Sequence, residues 1–289
     1  GLLDATNVID KPLVTIITPI AFDHTEFLGN TIEKIATEKA GIIKRGVPCV
    51  VGRQDFPEAL RVLEEKAESL DAPVFRLGQE WRVENHHYIS QAKNIELNPA
   101  LAGEHQYDNA GAAIAAIEQM TKFNISDEHI KTGLQNAVWP ARLQHLTSHP
   151  YCNLLPPEME LWLDGGHNPQ GGQVLAKWLE QQSKTKKIYL ICGMIKGKDM
   201  KEFLSPLAPY AEFLGSVIIR EEANSQPAEA VAQAAQSVGI KAQSCASVEK
   251  ALQTIIDHAK TNGNKPAIIC ICGSLYLAGK VLEKDAGST

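Results

Sequence analysis

The sequence contains no long apolar run and no surplus of basic residues. No stretch approaches the roughly 18 consecutive apolar residues that a membrane-spanning helix needs, so we expect no membrane contact. The 289 residues carry a net charge of -6, which argues against a nucleic-acid-binding protein because phosphate binding requires a basic surface. With 44% hydrophobic and 21% charged residues, the composition is that of a globular protein with one large or two medium domains.

Paired cysteine motifs are also missing. The chain has six cysteines, none of them in a C-x-x-C pair. We expect reduced, mostly buried thiols in a cytoplasmic protein, because disulfides persist mainly in oxidising compartments. Cys270 and Cys272 share one face of a strand, but no second pair of ligands lies nearby, which argues against a zinc site.

We also expect the protein to be a monomer.

Two glycine-rich nucleotide-binding motifs are absent as well. Gly193–Asp199, GMIKGKD, resembles a phosphate loop, but its spacing is one residue short and Asp199 stands where Ser or Thr is required. Asp199 would repel phosphate and cannot replace the hydroxyl that binds magnesium. No G-x-G-x-x-G turn joins a strand to a helix, which argues against a dinucleotide oxidoreductase.

Apolar, β-branched segments alternate with helical patterns, which predicts an α/β protein with parallel sheets covered on both faces. The segment Trp81–Leu97 instead indicates a meander. A break near Trp139 predicts two domains, residues 1–138 and 139–289, the second a Rossmann-like unit. The predicted strands are Leu13–Ile20, Pro48–Val51, Val74–Leu77, Leu161–Leu163, Lys187–Cys192, Leu214–Ile219, Lys241–Cys245 and Ala267–Cys272. The predicted helices are Thr31–Ile43, Pro57–Leu70, Tyr107–Lys122, Asp127–Ala137, Gly171–Gln182, Met200–Leu207, Pro227–Val238, Val248–Thr261 and Leu275–Glu283.

Polar residues follow the first predicted strand and its helix. Asp23 and His24 come at the strand's carboxyl end, where ligands bind in open α/β sheets, and a histidine there suits a metal or a phosphate. The alternative is that His24 only caps a helix or packs. Lys39 lies near the end of the next helix, where its charge also simply complements the helix dipole. Gly41 is suited to end that helix in the left-handed conformation, but Ile42 and Ile43 continue the apolar pattern.

The segment His105–Ala110, HQYDNA, precedes a helix of small residues that can lie very close to its neighbour. Asn109 carries both an amide donor and an acceptor, which suits the reading of a base edge. The alternative is that Asp108 or Asn109 is only the N-cap of the helix.

Two further segments carry functional chemistry near the predicted domain break and beyond it. Arg142 is suited to bind a phosphate bidentately, or alternatively forms an interdomain salt bridge. Asp164–Pro169, DGGHNP, follows a strand, and its two glycines permit a tight turn and the close approach of a ligand. Helix capping explains Asn168 but neither Asp164 nor His167, which makes this segment the strongest local signal.

Taken together, these segments resemble the folylpolyglutamate synthase/dihydrofolate synthase family, a branch of the Mur ligase superfamily. The matching motifs run in family order across the chain: LDATNVID, FDHTEFLGNTIEKIATEKAGIIK, HQYDNA, WPARL, LDGGHNPQGG, CGMIKGKD and CGSLYLAG. The resemblance implies the remainder of an ATP-binding domain followed by a Rossmann-like C-terminal domain. It also implies ATP-dependent ligation of L-glutamate to dihydropteroate or reduced folate through an acyl phosphate. ATP and Mg²⁺ are the implied cofactors, with a monovalent cation as a further candidate.

The resemblance also implies roles for individual residues. His24 matches the magnesium-binding histidine, and Lys39 matches a lysine that becomes a metal ligand when carbamylated. Asn109 matches the residue that reads adenine, with His105 and Gln106 beside it. The remaining matches are Arg142 at the ATP phosphates, Asp164 at the ribose, His167 near the incoming glutamate, and Asp4, Thr6 and Asn7 in a loop at the cleft.

The sequence departs from the family pattern in three places. Ala141 and Leu2 stand where the family has Gly and Arg, respectively. The phosphate loop and a magnesium-binding glutamate that precede LDATNVID in the family are not present, so we expect this chain to be an N-terminally truncated, poorly active ligase fragment. A non-catalytic nucleotide-binding module is the alternative function.

Overall fold

The computed structural model describes residues 1–2, 7–22, 31–261, 263 and 265–286. It divides the chain into two compact units, Gly1–Val138 (unit 1) and Trp139–Thr289 (unit 2). Helices and strands are interleaved in both units, which confirms the predicted α/β fold class. No helix among the described residues is long and apolar enough to cross a membrane.

A three-stranded parallel sheet lies at the centre of unit 1. Its strands are ordered β1 (Thr15–Ile17), β2 (Cys49–Val51) and β3 (Val74–Arg76). The apolar run that continues to Ile20 predicts a longer first strand than the structure shows. Pro19 has no N–H to donate, and the backbone of Thr18 and Ile20 bonds to the side chain of Gln54 instead.

Helices cover both faces of this sheet, because successive residues of a strand point to opposite sides. Cys49 and Val51 pack with α1 (Ile32–Ala40) and α2 (Pro57–Ser69). Val50 points the other way, into a core formed with α3 (His105–Gln119) and α4 (Asp127–Gln135). The predicted meander is confirmed in this second core as an antiparallel sheet of β4 (Trp81–Glu84), β5 (His87–Ser90) and β6 (Asn94–Glu96).

Unit 2 contains a six-stranded sheet in the order β11-β10-β9-β12-β8-β7, in which only β7 is antiparallel to its neighbour. Its strands are β7 (Gln144–Leu146), β8 (Met159–Leu163), β9 (Lys187–Cys192), β10 (Ala211–Val217), β11 (Ala242–Cys245) and β12 (Ala267–Cys272). Its helices are α5 (Pro169–Ser183), α6 (Met200–Leu204), α7 (Ala228–Ser237), α8 (Val248–Thr261) and α9 (Leu275–Ala286), with short 3-10 turns at Pro150–Leu154 and Ser205–Leu207.

The central strand, β12, pairs with β8 on one side and β9 on the other, and all six of its residues are buried. Burial on both faces explains the continuous apolar sequence AIICIC. The edge strand β7 was not predicted, because its three residues, QHL, show neither an apolar run nor a β-branched pattern. It pairs only with β8.

Candidate functional site

Three motif loops lie side by side at one edge of the unit 2 sheet. The strands β8, β12 and β9 are adjacent and parallel, with Ile271 level with Leu163 and Cys272 level with Cys192. The loops that leave these strand ends begin at Asp164, Gly193 and Gly273, and we call this region the unit 2 carboxyl edge. Ligands of open α/β sheets bind at such edges. The structure therefore brings the motifs LDGGHNPQGG, CGMIKGKD and CGSLYLAG together.

The Asp164 carboxylate organises this edge through two backbone bonds. Its Oδ1 accepts the Gly166 N–H at 2.8 Å, and its Oδ2 accepts the Leu143 N–H at 3.0 Å. A Cβ at Gly166 would lie 2.7 Å from Asp164 Oδ1, so the turn needs glycine there. Each carboxylate oxygen has a second lone pair, which leaves Asp164 able to accept from a ligand hydroxyl as well.

The segment around Arg142 is held against this turn. Ala141 O accepts the Gly165 N–H at 2.8 Å, in addition to the bond from Leu143 to Asp164. Ala141 and Leu143 have φ angles of +57° and +44°, which is the left-handed region that favours glycine. Alanine at position 141 therefore occupies a backbone conformation for which glycine is better suited. The Arg142 side chain is exposed.

His167 is oriented by the same turn. Its Nδ1 lies 2.9 Å from the carbonyl oxygen of Gly165. A carbonyl only accepts, so Nδ1 carries the hydrogen, and Nε2 of the neutral ring is left as an acceptor. The following residue, Asn168, is confirmed as the N-cap of α5, because its Oδ1 accepts the Gly171 N–H at 2.8 Å.

In unit 1, the residues that were predicted to bind the nucleotide lie inside a helix rather than before it. Helix α3 begins at His105 with Glu104 as its N-cap residue, so the alternative that Asp108 or Asn109 is the N-cap is wrong. Asn109 Nδ2 donates to Gln106 Oε1 at 3.0 Å, and Gln106 Nε2 lies 3.0 Å from His105 Nε2. The structure thus joins His105, Gln106 and Asn109 in one chain of hydrogen bonds over the first two turns of α3.

An arginine that the sequence motifs did not reveal lies beside this chain. Arg53 follows β2, and its Nε donates to Asp108 Oδ2 of α3 at 2.7 Å. The hydrogen bond that Arg53 donates to Asp108 raises the pKa of Arg53 above its usual value. The two residues are 55 positions apart, and no local pattern indicates the pair.

Lys39 lies in the last turn of α1, and its side chain is exposed. The C-cap residue of the helix is Gly41, which has a φ of -60°, so this glycine does not adopt the left-handed conformation. The helix also ends before Ile43, to which the apolar pattern predicts it. Glycine is needed here for a different reason: a Cβ would lie 2.5 Å from the Cα of Leu2. Asn7 Nδ2 donates to the Gly41 carbonyl oxygen at 3.2 Å. The structure therefore places Leu2 and Asn7 beside the end of the helix that carries Lys39.

Several predicted site residues are not described. His24, proposed as a metal ligand, and its neighbour Asp23 lie outside the described residues, as do Asp4 and Thr6.

All six cysteines are free thiols, and every one except Cys152 is buried, which confirms the expected state of the thiols. Cys192, Cys270 and Cys272 lie in the strands directly beneath the unit 2 carboxyl edge. A hydrogen bond with Cys272, together with burial, raises the pKa values of the Cys192 and Cys270 thiols. Protonated, buried thiols are poor nucleophiles, so these two cysteines contribute packing.

The class of protein to which unit 2 belongs follows from a comparison with known protein families. Residues 155–275 match the glutamate ligase domain of Mur ligases. The match covers β8 to β12, together with the three loops of the unit 2 carboxyl edge.

Two curated relatives define the family. The dihydrofolate synthase/folylpolyglutamate synthase of Bacillus subtilis is 36% identical over 224 residues, which cover 73% of this chain and 50% of that protein. The probable dihydrofolate synthetase of Schizosaccharomyces pombe is 31% identical over 291 residues, which cover 96% of this chain and 67% of that protein. The chain belongs to the dihydrofolate synthase/folylpolyglutamate synthase family. It spans about half to two thirds of the length of these relatives.

Solved structures of similar proteins share the fold. Mycobacterium tuberculosis folylpolyglutamate synthase, complexed with ADP and AMPPCP, superposes with a TM-score of 0.84 at 28% identity, covering 100% of this chain and 67% of that one. The bifunctional folylpolyglutamate synthase/dihydrofolate synthase of Yersinia pestis, complexed with AMPPNP and Mn, gives a TM-score of 0.80 at 28% identity, covering 99% of this chain and 64% of that one.

Proposed function

We propose that this chain takes part in the ATP-dependent ligation of L-glutamate to dihydropteroate, to reduced folate, or to both. The observation that carries the proposal is the joint position of Arg142, Asp164 and His167 at the unit 2 carboxyl edge, within or beside the segment that matches a glutamate ligase domain. The relatives named for these two activities support it.

In unit 2, this arrangement suits the chemistry of amide formation. The exposed guanidinium of Arg142 is proposed to bind the ATP phosphates, and Asp164 to accept from the ribose. Glutamate enters with its amine protonated, and the amine must lose a proton before it attacks an acyl phosphate. His167 Nε2, the ring nitrogen that does not face the Gly165 carbonyl, is proposed to lie near the incoming amino group and to receive that proton when the ring is neutral.

In unit 1, the hydrogen-bonded chain of His105, Gln106 and Asn109 is proposed to hold the adenine. Asn109 Oδ1 remains an acceptor for an amino group on a base edge. Lys39, in carbamylated form, and His24 are the proposed metal ligands. The carbamate oxygens fit magnesium's preference for oxygen ligands better than an imidazole does, and bound magnesium would neutralise phosphate charge. A monovalent cation is a further proposed component.

The proposed setting is a monomer in the cytoplasm. Six free thiols, most of them buried, suit a reducing compartment.

The test is incorporation of labelled glutamate into dihydropteroate or tetrahydrofolate, dependent on ATP and magnesium. The 289-residue chain is assayed beside the longest product of its reading frame. Incorporation by neither protein contradicts the ligase function, and nucleotide binding without incorporation favours the non-catalytic module. Equal turnover by both contradicts the expectation that the 289-residue chain is a poor ligase.

The variant His167→Asn tests the role of the ring nitrogen. Asn retains a side-chain N–H for the Gly165 carbonyl but has no counterpart of Nε2. We expect incorporation to fall by about 100-fold or more, with an unchanged Tm. The control is His145→Asn, which alters an exposed histidine of the same unit that stacks on Trp162. An equal loss in both variants contradicts the role.

A further inference from the structure

We propose that Arg53 is a nucleotide-binding residue of unit 1, whose guanidinium plane lies against the face of the purine base. This inference rests on the proposed function and adds to it a residue that lies outside the sequence motifs quoted for the family resemblance. It follows from the position of Arg53, from the way its side chain is held, and from the charge beside it.

The position is the carboxyl edge of the unit 1 sheet. Arg53 is the second residue after β2, and the Gly52 N–H still bonds to the Ile17 carbonyl oxygen of β1 at 2.9 Å. This edge is where a parallel sheet accepts ligands. Asp108, which binds Arg53, lies in the first turn of α3, between Gln106 and Asn109. Arg53 therefore contacts the helical turn that carries the residues proposed to hold adenine.

The backbone at Arg53 is fixed by the next side chain. Gln54 Oε1 accepts the Ile20 N–H at 3.1 Å, and Gln54 Nε2 donates to the carbonyl oxygens of Thr18 and Gly52 at 3.2 and 3.3 Å. One amide thus ties the ends of β1 and β2 together. Because its anchor is rigid, Arg53 loses little further freedom when it binds a ligand.

The guanidinium is held at one edge only. Nε is bonded to Asp108, while 55% of the Arg53 side chain is exposed. Among the described residues, neither terminal nitrogen of Arg53 has a hydrogen-bond partner. A planar group fixed at one edge, with its faces open, is suited to stack on an aromatic ring.

The charge of Asp108 favours a base over a phosphate as the partner of Arg53. The carboxylate oxygen lies 2.7 Å from Nε, so it offsets the positive charge. It also occupies one edge of the guanidinium, whose N–H donors would otherwise bind a phosphate bidentately. A polyphosphate would also be repelled by Asp108 itself. Stacking on a purine is less sensitive to this compensation, because it depends on the flat guanidinium surface and on dispersion.

The experiment measures equilibrium binding of two probes, ATP and inorganic triphosphate, to the 289-residue chain. The ratio of the triphosphate Kd to the ATP Kd reports what the nucleoside adds to the affinity. Arg53→Lys keeps the charge and removes the plane, and we expect it to lower this ratio about tenfold. Asp108→Asn weakens the bond that orients the Arg53 guanidinium, and we expect it to lower the ratio by about threefold.

The matched control is Arg45→Lys, in the same unit. Arg45 forms an ion pair with Asp71 at 2.8 Å, but both side chains are more exposed and neither lies at the carboxyl edge of the sheet. We expect its ratio to equal that of the wild type. Tm values of all variants show whether folding is retained, and Asp108→Asn provides the test if Arg53→Lys does not fold.

The outcomes separate this inference from the proposed function. If the wild-type chain binds ATP and the ratio is unchanged in Arg53→Lys and Asp108→Asn, Arg53 is only a structural ion-pair residue and the inference is overturned. If Arg53→Lys weakens ATP and triphosphate equally, Arg53 contacts the phosphates and its assignment to the base is overturned. A wild-type chain that binds no nucleotide overturns both the inference and the proposed nucleotide site.

Discussion

At the scale of single residues, Asp164 has a structural role in addition to its proposed contact with a ligand. Its two carboxylate oxygens accept backbone N–H groups from Leu143 and Gly166, which lie on different segments of unit 2. The carboxylate therefore connects the Arg142 segment to the His167 turn through hydrogen bonds. An Asp164 variant would therefore also displace the Arg142 segment and the His167 turn, in addition to losing the proposed ligand contact.

We predict that Asp164→Asn destabilises unit 2 even without a ligand. An amide offers only one acceptor oxygen, so its NH₂ group would face one of the two backbone donors, at a cost of about 1–3 kcal/mol. Urea unfolding followed by tryptophan fluorescence measures this change. Asp199→Asn is the matched control, because Asp199 caps α6 through a single bond from the Glu202 N–H and asparagine caps equally well. Equal stability of Asp164→Asn and the wild type would show that the two bonds contribute little.

At the scale of elements, helix α3 owes its position to its small residues. The prediction that its small residues let it lie close to a neighbour is confirmed at Gly111, where a Cβ would lie 2.7 Å from Trp81 and from Val83 of β4. Trp81 is in turn stacked on Tyr88 of β5, with ring centroids 6.0 Å apart. The antiparallel sheet therefore sets how closely α3 approaches, and the first turns of α3 carry the proposed adenine residues.

We predict that Gly111→Ala destabilises unit 1 by about 1–3 kcal/mol, because the added methyl group overpacks a rigid aromatic contact. Gly133→Ala in α4 is the control, since nothing lies within 4 Å of its added Cβ. There alanine should stabilise the helix by up to about 1 kcal/mol. Urea titrations followed by circular dichroism compare the two. A stabilised Gly111→Ala variant would show that α3 moves away from the sheet without cost.

At the scale of the whole molecule, unit 2 has a complete core of its own. One cluster of buried side chains extends from Ala141 to Val281 and includes residues of β8, β9, β10 and β12. An α-helix follows every strand of its sheet except the edge strand β7. Such an arrangement buries both faces of a parallel sheet without help from another segment.

We predict that residues 139–289 fold by themselves into a cooperative domain. Near-UV circular dichroism and a single urea transition measure this, because Trp162 and Trp178 pack together with ring centroids 4.7 Å apart. The fragment 147–289 is the control. It lacks β7 and the Leu143 N–H that binds Asp164, so its transition should move to lower urea. A fragment 139–289 without fixed tertiary structure would contradict this prediction.

Much of the fold was predictable because its signals are local. Lys187–Cys192 and Ala267–Cys272 are continuous apolar strands, and the structure gives them the predicted bounds. Helix Val248–Thr261 also matches its prediction, since its apolar residues recur with a clear helical period. Helix α3, by contrast, begins two residues earlier than predicted, because His105 and Gln106 belong to a polar segment with no apolar periodicity.

Local sequence patterns were enough to predict the α/β class, most strands of the two parallel sheets and the motifs that indicate the family, since each of these is encoded within a few neighbouring residues. Which side chains meet depends on the tertiary structure. Asp164 binds a backbone group 21 positions away, and Arg53 binds a carboxylate 55 positions away. Such partners depend on strand order and helix packing. These are set by burial over the whole unit, and no local pattern records them.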